Sequence, residues 1–429
     1  MITDSSRGRL AIVVGGGPAP GINGVISSVT IEAINRGIEV VGIRDGFKNL
    51  VAGNLSEIRT LTINDVVPYY NRGGSMLGTS RTNPAKNPAD LERVIDGFQQ
   101  LGVEYLVTIG GDDTAFSGSQ VYKKANGTIK VAHVPKTIDN DLPLPPGTPT
   151  FGFETARHIG VDIARSLHED ARTTGRWYLI VSMGRAAGHL ALGIGKASAA
   201  TVTIIAEEFR GQPVTLDEIC DIIVGSMIKR KAEGKGYGIA VLAEGLIESI
   251  GEKGLIQALG DELSRYGNVE RDPHGHLRLG EIEFGRMIRY RVAERLKALG
   301  LNVTMIDKDL GYELRCADPI PFDAEYTRNL GYGAVKFLTS TEAEHYGAIV
   351  SFIGGKMLPL KFDDMIDPKT SRMRPRLVDV DSETYECARR YMLRLDKDDF
   401  SDAQQLAKLA SIVNMTPEQF RERFEYLVK

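Results

Sequence analysis

A chain of 429 residues has room for two or three domains, or for one large two-lobed unit, each with a sizeable core. Its formal net charge of -4 supplies no global positive field for nucleic acid or an anionic membrane surface, so neither partner is expected. The three cysteines, Cys220, Cys316 and Cys387, lie far apart in no zinc pattern, and no apolar run approaches the roughly 20 residues that span a bilayer. A reducing, cytoplasmic setting is the expectation.

Strand-like and helix-like segments alternate from the start. Leu10–Val14 reads as a buried strand, Gly21–Arg36 as a helix, Ile38–Ile43 as a second strand, and Pro88–Leu101 as a helix opened by Asn87 and Pro88. A strand over Val103–Ile109, a helix from about Asp113, a strand over Ile129–Val134 and a long helix over Glu154–Ala171 follow. Further strands are expected at Trp177–Ser182, Thr201–Ile205, Gly238–Leu242, Val303–Ile306 and Ala348–Ile353, and helices at Gln404–Val413 and Pro417–Leu427. Such alternation predicts an α/β fold: two Rossmann-like lobes with mainly parallel sheets flanked by helices, plus a C-terminal helical tail. The expected division is a larger lobe of residues 1–150 with about 315–365, a smaller lobe of 151–314, and a helical extension over 366–429. Pro143–Gly152, rich in proline and glycine, is the expected hinge.

Several strand ends carry chemistry. Gly15-Gly16-Gly17-Pro18-Ala19-Pro20-Gly21 follows the first strand and opens a helix, so its amides and the positive helix end suit an anion. It matches neither GxGxxG nor the Walker pattern; a merely tight turn would explain one or two of its glycines, not four. Arg72-Gly73-Gly74-Ser75-Met76-Leu77-Gly78-Thr79-Ser80-Arg81 sets two guanidinium forks around a glycine loop, although taken alone it reads equally well as a solvated loop. Gly110-Gly111-Asp112-Asp113 and Pro135-Lys136-Thr137-Ile138-Asp139-Asn140-Asp141 end neighbouring strands and bring four carboxylates and a lysine to one sheet edge, where open α/β folds place ligands. That set suits a metal-bound polyphosphate. Met183-Gly184-Arg185 ends another strand, whereas Ala243-Glu244-Gly245 and Tyr312-Glu313-Leu314-Arg315 are weak signals in isolation. His189 has no partner at metal-ligand spacing and reads as packed or capping.

Together these segments, in order from Leu10 to about Gly354, resemble the phosphofructokinase family. RGGSMLGTSR, IGGDD, PKTIDND, FGFETA, MGRxxGH, AEG and PIPFD are very unusual in combination. In two places the sequence is more similar to the pyrophosphate-dependent branch than to the ATP-dependent one: Asp113 replaces a glycine of the nucleotide loop, and Lys136 replaces a glycine of the catalytic loop. Pro18 and Arg44 lean the same way. The resemblance implies reversible phosphorylation of fructose 6-phosphate to fructose 1,6-bisphosphate by pyrophosphate.

It assigns Asp139 as the base for the fructose 1-hydroxyl, Thr137 and Asp141 as its supports, Asp112 as the carboxylate facing Mg2+, and Arg72 and Lys136 as partners of the moving phosphoryl group. Gly16 and Asp113 fall on the donor. Met183, Gly184, Arg185, Glu244, Tyr312 and Arg315 fall on fructose 6-phosphate. Arg176 matches an arginine donated by a neighbouring subunit, which implies a homodimer or larger homo-oligomer. A carboxylate about 4 Å from a phosphate costs roughly 4 kcal/mol at an effective dielectric near 20, about a thousandfold in affinity before desolvation, so Asp113 is expected to reject ATP. An ATP-dependent kinase and an inactive sugar-phosphate-binding subunit are the competing readings; retention of Asp112, Asp139, Asp141 and Arg72 argues against the latter. Sedoheptulose 7-phosphate remains open as a longer acceptor.

Overall fold

Alternation of buried side chains on the strand Arg9–Val14 shows how the first sheet is built. Leu10, Ile12 and Val14 enter one apolar cluster, Ala11 and Val13 another, so helices must cover both faces. The computed structural model describes residues 8–209, 212, 214–267, 277–367, 369–370 and 372–428. Its main strands in chain order are β1 (Arg9–Val14), β2 (Glu39–Ile43), β3 (Ile58–Thr60), β4 (Val103–Gly110), β5 (Lys130–Pro135), β6 (Trp177–Ser182), β7 (Val202–Ile204), β8 (Gly238–Ala243), β9 (Met305–Leu310), β10 (Ala348–Ile353) and β11 (Lys356–Lys361). The chain forms two units, Met1–Ala156 with Tyr312–Arg376, and Arg157–Gly311 with Leu377–Lys429.

In the first unit a seven-stranded sheet runs β11-β10-β5-β4-β1-β2-β3. The pairs β10/β5, β5/β4, β4/β1 and β1/β2 are parallel, while β3 and β11 close the edges antiparallel. Val14 lies opposite Ile109, and Gly110 opposite Pro135, so the three central strands end level with one another. The chain therefore delivers the glycine loop, Asp112-Asp113 and Lys136 to one sheet edge. The expected hinge, Pro143–Gly152, is instead packed inside this unit. Leu144, Thr148, Thr150 and Phe151 are buried, and the Tyr326 hydroxyl donates to the Pro149 carbonyl at 3.0 Å. Buried apolar and hydrogen-bonded groups leave that stretch little freedom despite its proline and glycine content.

The second unit holds a parallel sheet in the order β7-β8-β6-β9. Trp177, Leu179 and Val181 of β6 share a core with the helices Leu216–Ala232 and Phe284–Ala298. Leu395, Phe400, Leu409, Phe420 and Phe424 enter the same core, so the C-terminal helices complete this unit's packing. Strand β9 lies further along the chain than Val303–Ile306. Its Asp307-Lys308-Asp309 run interrupts the apolar signal, and the Asp307 carboxylate accepts a bond from Arg289 Nε at 2.5 Å. No helix among the described residues is long and apolar enough to cross a membrane.

Candidate active site

The turn after β1 needs left-handed backbone at Gly16 (φ 81°) and Gly21 (φ 98°), which explains glycine at both places. Gly15 N–H donates to the Ile109 carbonyl at 2.9 Å and Gly16 N–H to that of Ser80 at 2.9 Å. The loop is met by cations. A Cβ on Gly16 would lie 3.4 Å from Lys136 Nζ, one on Gly17 would lie 3.4 Å from Arg315 Cζ, and the Lys136 ammonium donates to the Gly17 carbonyl.

Asn23, in the first turn of the helix Ile22–Asn35, anchors the second glycine loop. Its amide donates to the carbonyls of Arg72 (3.0 Å) and Gly73 (3.2 Å) and accepts from Met76 N–H (2.8 Å). Gly73 cannot change, because a Cβ there would fall 2.0 Å from the Cys316 carbonyl oxygen; its N–H donates to Asp318 at 2.8 Å. The Thr79 hydroxyl donates to the Gly16 carbonyl at 2.7 Å, joining this loop to the first. Arg72 stays exposed, 5.8 Å from the centre of the Tyr69 ring. Sequence reasoning missed Asn23; the available signal was a polar amide at the start of an otherwise apolar helix.

Asp112 and Asp113 occupy the exposed first turn of the helix Asp112–Ala125, a favourable place for acids on dipole grounds alone. Their functional weight comes from what adjoins them. Lys136 N–H donates to the Gly110 carbonyl at 2.8 Å, tying the loop after β5 to the end of β4. The Lys136 side chain is buried, and its ammonium is pulled down to about 8, chiefly by burial and next by Arg315. The charges of Asp139, Asp141 and Asp112 oppose that fall, so three carboxylates lie within electrostatic reach of one ammonium. Asp139 N–H donates to the Thr137 hydroxyl oxygen at 3.0 Å. Burial raises the Asp141 carboxyl and the neighbouring charge of Asp112 raises it further, against a hydrogen bond from Thr137.

Beneath both loops lies His133, fully buried. Because the Gly110 carbonyl can only accept, Nε2 carries the proton that reaches it at 3.0 Å, and Nδ1 accepts from the Thr108 hydroxyl at 2.9 Å. Burial holds the ring neutral, with its pKa lowered to about 3.

Among the described residues no three His, Cys, Asp or Glu side chains cluster as a cation cage. Magnesium does not require one, since it keeps waters and takes one or two carboxylates plus substrate phosphates. Asp112 and Asp141, close enough for one charge to perturb the other, fit that donor set.

In the second unit, Met183 N–H donates to the Leu310 carbonyl at 2.9 Å, and Gly184 N–H to Glu244 Oε2 at 3.2 Å. Arg185 Nε lies 3.9 Å from Glu244 Oε1. A Cβ on Gly245 would come within 2.6 Å of the Arg185 carbonyl oxygen, so Gly245 lets the loops after β6 and β8 touch. The Glu207 carboxylate accepts from Gly188 N–H at 2.8 Å and fixes the far end of the Met183–Gly188 loop. A cavity of about 530 Å³ opens beside Arg185 and is also lined by Glu207, Phe209, Glu248 and Ser249.

Of the other expected residues, Arg176 stands at the far end of β6, and Tyr312 and Arg315 fall in the first unit. Arg176 precedes β6, at the strand end opposite Met183, with Nε 3.8 Å from Asp170 Oδ2. Tyr312 and Arg315 belong to the first unit, the guanidinium carbon lying 4.8 Å from the centre of the Tyr312 ring and beside Gly17 and Lys136. Arg315 therefore stands with the anion-binding loops of its own unit.

A parallel sheet whose carboxyl edge gathers glycine loops, acids and buried or forked cations defines a phosphoryl-transfer protein. The phosphofructokinase family profile matches residues 9–338, and the chain belongs to that family. The chain is 52% identical over 416 residues to the pyrophosphate–fructose 6-phosphate 1-phosphotransferase of Thermotoga maritima, covering 97% of this chain and 98% of that protein. It is 49% identical over 436 residues to the protein of the same name from Naegleria fowleri, covering 100% and 98%. Among solved structures, the pyrophosphate-dependent phosphofructokinase of Nitrosospira multiformis shares the fold with a TM-score of 0.64 at 18% identity, over 89% of this chain and 90% of that one.

Proposed function

We infer that this chain transfers a phosphoryl group from pyrophosphate to the 1-hydroxyl of fructose 6-phosphate, reversibly, giving fructose 1,6-bisphosphate and orthophosphate. The observation that carries the reading is Lys136. It is a buried ammonium set among Asp112, Asp139 and Asp141, against the first glycine loop, with Asp113 next to Asp112. A small, densely charged diphosphate gains most from such a cation, and the carboxylate of Asp113 opposes a larger nucleotide. The relatives bearing the pyrophosphate name at 52% and 49% identity support the same donor.

In the forward direction the Asp139 carboxylate accepts the proton of the 1-hydroxyl as its oxygen bonds to the near phosphorus of pyrophosphate. The bond from that phosphorus to the bridging oxygen breaks, and orthophosphate leaves. Thr137 and Asp141 orient the base, Arg72 and Lys136 neutralise the moving group, and the amides around Gly16 hold the donor. Mg2+ held by Asp112, with Asp141 beside it, would supply charge neutralisation of the diphosphate. Met183, Gly184, Arg185 and Glu244 bind the sugar phosphate, together with Tyr312 and Arg315 by resemblance.

Arg176 serves a neighbouring subunit in a homodimer or larger assembly. Its place at the amino end of β6, seven residues and so roughly 23 Å from Met183 at about 3.3 Å per strand residue, favours service outside its own sugar-binding loop. Three free cysteines accord with work in the cytoplasm. The test is a reaction of purified protein with magnesium, fructose 6-phosphate and pyrophosphate. One fructose 1,6-bisphosphate and one orthophosphate should appear per turnover, and absence of the bisphosphate would overturn the reading.

A further inference from the structure

Arg376 lies beyond residues 9–338 that define the family domain, yet its hydrogen bonds converge on the loop that carries Asp139 and Asp141. Its Nε and Nη2 both donate to the Asn140 carbonyl, at 3.1 and 3.0 Å, and Nη2 also donates to Asn140 Oδ1. Nη1 donates to the Thr148 carbonyl at 2.7 Å and to that of Leu144 at 3.4 Å. The main-chain N–H of Arg376 donates to the Asp141 carbonyl at 2.7 Å. One residue thus holds the loop at both of the positions that follow Asp139, and at two points further along.

What it holds is an uncommon conformation. Asn140 has φ 58°, in the left-handed region, and this reverses the chain between the two acids. Asparagine tolerates that region better than most residues, and the bonds around Asn140 select it here. Arg376 supplies those bonds, and Thr150 adds one, its N–H donating to Asn140 Oδ1 at 3.0 Å. Lysine cannot replace the guanidinium, because three of its nitrogens are used in a fixed fork geometry.

We propose that Arg376 is a positioning residue for phosphoryl transfer, clamping the left-handed turn at Asn140 so that the Asp139 carboxylate points at the acceptor hydroxyl. It acts through its bonds to the loop and through its charge beside Asp141. The inference rests on the reading of Asp139 as the base.

The experiment is a double-mutant cycle on the full chain with Arg376→Ala, Arg376→Lys and Asp139→Asn, measuring kcat, both KM values and the thermal midpoint. Arg376→Ala should lower kcat on the order of 10²-fold, as a misplaced base does, with KM for fructose 6-phosphate changed by less than about threefold. Arg376→Lys should fall between the two. In the Asp139→Asn background the Arg376 change should cost less than about threefold further, because the group it positions is gone. Near-native kcat with only a lowered thermal midpoint, or the same fold loss in both backgrounds, would overturn the proposal. If Arg376→Ala does not fold, the lysine variant and its cycle decide by the same criteria. Near-native turnover of Asp139→Asn would remove the base and this inference with it. An inactive Asp139→Asn beside fully active Arg376 variants would overturn the role of Arg376 alone.

Discussion

The main-chain N–H of Lys136 donates to the carbonyl of Gly110 across 2.8 Å, joining the loop that carries the proposed base to the strand end that carries Asp112 and Asp113. His133 donates to the same carbonyl from below at 3.0 Å. The two loops to which donor selection and proton transfer are assigned thus meet at one backbone acceptor as well as along the β4/β5 ladder.

Lys136 gives a dependence on pH. Its folded pKa is lowered from 10.5 to about 8, so in the free protein the ammonium is charged below about pH 8 and lost above it. Attraction for pyrophosphate should weaken in the same direction. With kcat/KM for pyrophosphate measured from pH 6.5 to 9.5, a fall approaching tenfold per unit above about pH 8 is expected. Lys136→Arg should remove that break, since a guanidinium stays charged. A profile as steep in the arginine variant as in the native protein would assign the break to another group.

His133 gives a dependence of stability. Its folded pKa of about 3 lies below the ordinary 6.5, so the contribution of the neutral ring is complete above pH 6.5 and declines as pH falls toward 3. At pH 5 the deficit is about 2 kcal/mol, from 1.36 kcal/mol per pH unit over roughly 1.5 units. Urea unfolding of the native chain at pH 6.5 and 5 should show that loss, and His133→Gln should show a shallower slope whatever its absolute stability. Equal slopes would mean that other groups set the acid lability.

Much of this architecture is legible in the sequence because buried parallel strands are continuous apolar runs, and the acids and Lys136 end two of them. The edge strands are not legible. Ile58–Thr60 is three residues long, and Lys356–Lys361 carries a lysine at each end and Pro359 in its interior. Strand β9 is displaced from its apparent place because Asp307, Lys308 and Asp309 occupy its centre. Asn23 and Arg376 were out of reach for a different reason. Their roles are bonds to backbone carbonyls far along the chain, 49 residues away for Asn23 and 236 for Arg376, and no local pattern encodes such a partner. The Pro143–Gly152 stretch shows the opposite error, since composition that permits a hinge does not oppose packing.

Arg176 gives a prediction about assembly. Arg176→Ala should weaken fructose 6-phosphate binding and spare pyrophosphate, and the variant mixed with Asp139→Asn subunits should regain part of the native activity, since hybrids contain one intact composite site. Light scattering should find at least a dimer. Mixing that never restores activity, or a fully active monomer, would confine Arg176 to its contact with Asp170.

Asp113 and Lys136 should act on the donor as a coupled pair. Asp113→Gly removes a charge and its bulk but leaves the lysine, while Lys136→Gly removes the partner of pyrophosphate and leaves the opposing carboxylate. Each single change should mostly lose activity. The double variant should gain measurable ATP use, and the effects should be non-additive because the two side chains meet one ligand. Conversion should stay partial, as Arg44, exposed and 3.4 Å from Glu57, presents no aromatic surface for adenine. Unchanged pyrophosphate kinetics in Asp113→Gly, with no ATP use in either variant, would place the gate elsewhere.

The most direct measurement is donor choice in the native protein. Purified chain with magnesium and fructose 6-phosphate is offered pyrophosphate or ATP at equal concentrations, and kcat/KM is determined for each. A buried ammonium for the small donor and a carboxylate against the large one predict a preference for pyrophosphate of at least about 10²-fold, below the roughly thousandfold electrostatic limit. Comparable efficiency with ATP would contradict the account.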